Sequence, residues 1–410
     1  MKTLLPVFSR GLGVAVQGAF TLLVPLTSSE FSNSDRFFGV WALIQIYSII
    51  GQFGNGWRAS IELSEERTGS ATEQFVKLMK RSALPLAVGA VALMATTGED
   101  LLAHPTLLVC YLLVYLLQTL LLLIADMFRG LHCYNAGGFV ATGCGPFISA
   151  TVLGILFLAG VRNVTLESLW ILAAVSFIVA TIAVVAWFVY AWKHRTVVES
   201  SSATPMTWGN AVRFFILRLV QVGISQMPMI LLSRYGVESS ATAFAVAQRM
   251  TVFSSIFVVH MNSVAPTLFA GLRRRDQETS NLFNAMWRNN FLAALGSGLA
   301  GAVAAYLVGM AIQLPEQVFA VYAMLTLGQL ISVGGGPVAQ ALVFFSNRPL
   351  ETILCLSNIA VFATYLFLPS PLSPVMLAIV LVMVHLVNAI VAHLLFVSVE
   401  GHLLFHLGRR

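Results

Sequence analysis

Residues 105–127 read PTLLVCYLLVYLLQTLLLLIADM and carry no charged side chain before Asp126. At about 1.5 Å of rise per residue such a run reaches across a hydrocarbon core of roughly 30 Å. The stretch is therefore a membrane-spanning helix, and similar runs extend on both sides of it. They fall near residues 4–27, 37–57, 82–98, 138–160 and 169–192, and again near 208–233, 240–268, 290–311, 317–345, 351–369 and 374–398. The predicted fold class is an all-α polytopic membrane protein. It has about twelve transmembrane helices in two pseudo-symmetric six-helix bundles around a central cavity.

Composition agrees. Hydrophobic residues make up 58% of the 410 and charged residues only 10%, against roughly 25% charged in soluble domains. That excludes a soluble catalytic domain. Lys and Arg exceed Asp and Glu, 23 to 17, but the excess is spread along the chain, which excludes a nucleic-acid partner and points to membrane topology. With the amino terminus inside, the basic groups at Lys77–Arg81, Arg273–Arg275 and Arg409–Arg410 all lie on the cytoplasmic side. Both termini are thus expected to be cytoplasmic. The first apolar run continues from Leu4 to Pro25 without a cleavage pattern, so it reads as a spanning helix and not as a signal peptide. Cys110, Cys133, Cys144 and Cys355 lack paired spacing and read as packing residues, with no disulfide and no metal site.

A shift of 208 residues places Arg10 on Arg218, Arg67 on Arg275, Phe75 on Phe283, Lys80 on Arg288 and Leu84 on Leu292. This predicts a repeated six-helix plan, residues 1–192 and 208–410, joined by a polar linker at 193–207 that contains Ser200, Ser201, Ser202 and Pro205.

The twelve-helix plan, the start of the second helix (Phe38, Gly39, Val40, Trp41, Ala42), the stretch from Gln226 to Arg249, Pro266 and the loop Arg273, Arg274, Arg275, Asp276 resemble a known family. It is the multidrug/oligosaccharidyl-lipid/polysaccharide exporter superfamily, and within it the bacterial O-antigen and polysaccharide repeat-unit flippases. The signature of the major facilitator superfamily is not recognisable in Gly54–Arg67. The resemblance implies a flippase, not an enzyme. It would carry an undecaprenyl-diphosphate-linked oligosaccharide from the inner to the outer leaflet of the bacterial inner membrane by alternating access. It needs no cofactor beyond H+ or Na+ as a coupling ion. Membrane lipids, a polysaccharide polymerase and assembly proteins are its expected partners.

A diphosphate crosses hydrocarbon only along a polar, cationic path, and arginine suits it because its planar fork binds phosphate oxygens in pairs. Arg10, Arg58, Arg218 and Arg249, with Gln17 and Gln221, are the candidate substrate-binding residues. Arg10, Arg58 and Arg249 fall in helices 1, 2 and 8, where arginines serve anionic-lipid flippases of the resembled superfamily. Arg218 shares a helix face with Gln221 and Ser225, and Arg10 with Gln17. Snorkelling to headgroups is the competing account of Arg10, Arg213 and Arg218. His260 returns to nearly the face of Arg249.

Asp126 and His260 are the ion-coupling candidates, although Arg129 at i+3 makes a local ion pair the plainer reading of Asp126. His385 and His393 read as polar packing residues. Hinge candidates are Pro146 beside Gly143 and Gly145, Pro228, and Gly335 and Pro337 in the Gly334–Pro337 cluster; close helix packing competes for each. The runs Lys77–Arg81 and Arg273–Arg275 attract anionic headgroups on one reading, and topology accounts for them on another. The alternative function is a cation-coupled multidrug exporter of the same fold, whose cavity would favour acidic over basic residues. A membrane-embedded polymerase or ligase would need a sizeable external loop, and the sequence shows none.

Overall fold

The computed structural model describes residues 4–65, 71–101, 104–131, 133–194, 208–251, 277–334 and 350–400. Inside a bilayer every backbone N–H and C=O must be satisfied by the chain itself, and these residues do so as helices. The first half contains α1 (Leu4–Thr27), α2 (Phe31–Gln52), α3 (Asn55–Glu65), α4 (Ala71–Leu101), α5 (Pro105–Gly130), α6 (Tyr134–Thr142), α7 (Cys144–Leu158) and α8 (Leu166–Lys193). The second contains α9 (Trp208–Tyr235), α10 (Ser240–Met250), α11 (Gln277–Ala311), α12 (Pro315–Gly334), α13 (Leu350–Phe362), a 3-10 turn (Ala363–Phe367) and α14 (Pro374–Glu400).

Each of the twelve predicted segments coincides with helix, although segments 240–268 and 317–345 run past Met250 and Gly334 into residues outside those described. Among the described residues, six helices are long and apolar enough to cross a bilayer unaided, or seven if the bent α6–α7 pair is one span. The protein is a multi-pass membrane protein.

Among the described residues, three predicted segments are interrupted. The second, expected at 37–57, starts earlier and stops at Gln52, because Phe53 and Gly54 take left-handed backbone (φ 44° and 73°) before α3 resumes at Asn55. The fifth bends by 56° between α6 and α7. Gly143 occupies the break, and Pro146 follows it in the first turn of α7, where its missing N–H costs nothing. The eleventh tightens into the 3-10 turn at Ala363.

Two compact units result, Met1–Arg234 and Tyr235–Arg410. In the first, Phe37, Trp41, Tyr111, Trp170 and Phe177 form an aromatic core joining α2, α5 and α8, with the Tyr111 and Trp170 rings 4.6 Å apart. Nearly all of α9 belongs to this unit. Its Ser233 faces Gly39 of α2, and its Arg234 donates to the Thr96 carbonyl of α4 at 2.6 Å. In the second unit α10 is buried on every side from Ser240 to Val246, a stretch rich in small residues that lets helices approach closely.

The sequence repeat has a structural counterpart. The Val164 N–H donates to the Thr27 carbonyl at 3.0 Å, and the Leu372 N–H to the Tyr235 carbonyl at 2.9 Å. Parallel bridges pair Ser28 with Val164 and Gly236 with Leu372, and these residues correspond under the 208-residue shift. A second repeated device holds the third and fourth spans of each half. The Tyr115 hydroxyl donates to the Leu86 carbonyl at 2.9 Å and lies against Gly89; the Tyr322 hydroxyl donates to the Gly298 carbonyl at 2.7 Å and lies against Gly301. Each tyrosine fits because the glycine three residues beyond its acceptor has no Cβ.

Candidate functional site

The interruption of α2 sets up the site. The left-handed turn at Phe53 and Gly54 brings Gln52, the last residue of α2, and Gly56, in the first turn of α3, to the end of α5. There Asp126 projects from the last turns of α5 and is 1% exposed. Its carboxylate is accommodated because Gly56 offers only a bare Cα; a Cβ at that position would collide with Oδ2. Arg129, one turn on, donates from Nη1 to Asp126 Oδ1.

Arg218 reaches the same carboxylate from α9. Its Nη1 donates to Gln52 Oε1 at 2.9 Å and stands 3.7 Å from Asp126 Oδ2, too far for a hydrogen bond. Oδ2 is buried and receives no hydrogen bond among the described residues. Phe215, one turn earlier on α9, sets its ring 4.6 Å from that of Phe53 and so fixes the helix beside the turn. Together Ile49, Gln52, Gly54, Gly56, Asp126, Phe215 and Arg218 line a narrow cleft. Two guanidinium groups facing one carboxylate leave net positive charge at the cleft. The Arg218 side chain is 30% exposed and the Asp126 side chain 2%, so the arginine has room to move and the carboxylate does not. Such an arrangement accepts an anion: an oxyanion can replace Oδ2 and Gln52 as the partners of Arg218 without stranding a charge.

Of the residues singled out from sequence, Asp126 and Arg218 come together here. Gln221, one turn beyond Arg218, is exposed and is not among the lining residues. Arg58 is half-buried on α3, and Gln17 is half-buried on α1. Arg249 is half-buried in the last turn of α10, in the second unit. His260, Gly335 and Pro337 lie outside the described residues, as does the side chain of Arg10, whose backbone is helical within α1. Pro146 is buried at the start of α7, and Pro228 is buried inside an unbroken α9. His385 shares a hydrogen bond of 2.8 Å with Ser332, and His393 Nδ1 lies 2.9 Å from the Ala389 carbonyl.

Sequence reasoning missed Gln52, Phe215 and the Gly54 and Gly56 pair. Two glycines bracketing a short polar stretch inside an apolar segment are the signal that marks the break; nothing local marks Gln52 as the partner of Arg218.

No family model matches the chain, and no curated protein matches it in sequence. Solved structures do match in fold. A MATE in complex with MaD5 aligns over 98% of this chain and 96% of its own, at 13% identity and a TM-score of 0.60. The MATE multidrug transporter DinF-BH aligns over 98% and 96%, at 14% identity and a TM-score of 0.60. The lipid II flippase MurJ in its inward closed conformation aligns over 95% and 86%, at 12% identity and a TM-score of 0.58. The chain has the fold of these membrane transporters and flippases.

Proposed function

We propose that this protein is a flippase of the multidrug/oligosaccharidyl-lipid/polysaccharide exporter superfamily, moving an undecaprenyl-diphosphate-linked oligosaccharide across the bacterial inner membrane. The observation that carries this reading is Arg218, a guanidinium held in a cleft of the helical bundle by partners that a diphosphate can replace. A lipid-linked diphosphate needs such a group because its charge is intolerable in hydrocarbon unless paired. Gln52 and Asp126 keep Arg218 oriented while the cleft is empty, and Arg129 keeps Asp126 compensated once Arg218 turns to the cargo. The fold shared with MurJ and with multidrug transporters supports movement of a whole molecule between leaflets, and the sequence resemblance supports an oligosaccharide-bearing lipid as that molecule. H+ or Na+ is the coupling ion of this proposal, with both termini cytoplasmic.

One observation favours the second reading, a cation-coupled multidrug exporter: the Oδ2 oxygen of Asp126, buried with no hydrogen-bond donor among the described residues, is a place for a proton. A single strain set separates the two. In cells lacking the protein, lipid-linked repeat units should accumulate on the cytoplasmic leaflet and surface polysaccharide should fall, and Arg218→Gln should not restore export. Unaltered polysaccharide together with lost efflux of a cationic dye would replace the flippase with the exporter.

A further inference from the structure

A second, narrow cleft opens between α3, α4 and α5. Its floor is apolar: Ala59 and Leu63 of α3, Leu78 of α4 and Met127 of α5 are all buried. Its rim is polar and comes from one face of α4, where Gln74, Lys77 and Arg81 follow one another at helical spacing around Leu78. The frame is fixed beside it: Asn55 Nδ2 donates to the Arg81 carbonyl and to Ser82 Oγ, both at 3.3 Å. α3 is a short helix with one apolar face, so the cleft combines a greasy wall with a cationic lip.

Topology explains basic residues near the end of a span but not their direction. Lys80, in the same run, is exposed, whereas Lys77 and Arg81 are half-buried against the cleft. The internal repeat makes the same division. Under the 208-residue shift Lys80 corresponds to Arg288, which is also exposed, but Lys77 and Arg81 correspond to Ala285 and Asn289. The second half keeps the outward charge that orients the chain and lacks the inward pair. Lys77 and Arg81 are therefore additions to the first half that positive-inside orientation does not require.

We propose that this cleft binds a lipid-borne phosphate, with Lys77 and Arg81 holding the headgroup and Gln74 beside them at its rim. Basic pockets between spanning helices suit such headgroups because the cation is partly desolvated and the chain stays in hydrocarbon. The site is separate from Arg218 and stands whether or not the exported molecule is itself a lipid. Two sources share the chemistry: an anionic phospholipid of the bilayer, and the diphosphate lipid of the proposed cargo, the latter resting on the flippase reading.

The test uses the full-length protein in phosphatidylcholine nanodiscs doped with phosphatidylglycerol in one arm and with undecaprenyl diphosphate in the other, bound lipid being counted by native mass spectrometry. Wild type and Lys80→Gln should retain the anionic lipid equally. Lys77→Gln/Arg81→Gln should bind it about 30-fold more weakly, two interfacial cations having been lost, and Lys77→Gln alone, a milder change if the pair disturbs folding, about fivefold more weakly. Charge-dependent retention of phosphatidylglycerol identifies a bilayer lipid as occupant, and retention of undecaprenyl diphosphate alone identifies the cargo. No retention in either arm, or an equal loss in Lys80→Gln, overturns the site.

Discussion

The backbone N–H of Leu372 donates to the carbonyl of Tyr235 at 2.9 Å, and so ties the start of α14 to the end of α9. Val164 and Thr27 make the same bond, at 3.0 Å, between the start of α8 and the end of α1. A membrane helix pair has little hydrophobic drive to choose its axial position, since lipid is as apolar as its partner. A backbone bond at the mouth of the first and last spans supplies that registration in each half.

The tyrosine–glycine contacts should behave as locks. Gly89→Ala drives a methyl into the Tyr115 hydroxyl and is expected to cost about 1–3 kcal/mol in stability. Tyr115→Phe loses one interhelical hydrogen bond, worth about 0.6–1.7 kcal/mol in a membrane. Because the hydroxyl is the atom struck first, the double variant should be more stable than the sum of the singles predicts. Thermal midpoints in detergent, extended to Gly301→Ala with Tyr322→Phe, provide the measurement, and simple additivity at both sites would refute the lock.

Arg218 and Asp126 should have opposite effects on anion affinity. Arg218→Gln removes the charge offered to the cargo, and undecaprenyl diphosphate should bind at least about tenfold more weakly, the equivalent of one charge-assisted hydrogen bond. Asp126→Asn removes the competitor, and binding should tighten while release and export slow. Titration of the lipid into detergent-solubilised protein measures both; if the two substitutions weaken binding alike, the cluster is structural.

Position 56 should tolerate no side chain. Gly56→Ala places its Cβ on the Asp126 carboxylate, so the thermal midpoint should fall and Arg218 should lose its alignment. Shortening the opposing residue relieves the collision. Gly56→Ala/Asp126→Ala should therefore melt above Gly56→Ala alone, and a lower midpoint would show that the glycine serves its own backbone.

Gly143 and Gly18 form a contrasting pair. A Cβ on Gly143 would lie 2.6 Å from the Cα of Gly13, backbone against backbone, whereas one on Gly18 meets nothing within 4 Å. Gly143→Ala should push α1 from the α6–α7 bend at a cost of about 1–3 kcal/mol. Gly18→Ala should stabilise by up to about 1 kcal/mol through helix propensity alone. Equal midpoints for the two variants would remove the close approach of α1 to the bend.

Spans were legible because each needs about twenty apolar residues and water-soluble alternatives need charge. The breaks were less legible. Gly51, Gly54 and Gly56 interrupt the apolar run at Ile49–Trp57, but a phenylalanine at φ 44° is a conformation that composition does not announce. Within the site, Asp126 and Arg129 could be paired by their spacing on one helix, which is local information. That Arg218 would meet Asp126 and Gln52 depends on how α9 lies against α2 and α5, and no periodicity within α9 encodes its neighbours. The same limit hid the division of Lys77 and Arg81 from Lys80, which only the cleft reveals.

By sequence repeat α9 opens the second half, yet Phe215, Arg218, Ser233 and Arg234 on it meet residues of the first. A chain severed between Lys193 and Trp208 would part Arg218 from Gln52 and Asp126: the first fragment would keep Asp126 paired with Arg129, and the second would begin with a helix whose arginine has left both of those partners behind. Co-expression of the two fragments would therefore show whether α9 finds its place through Phe215, Arg218, Ser233 and Arg234, which touch the first half.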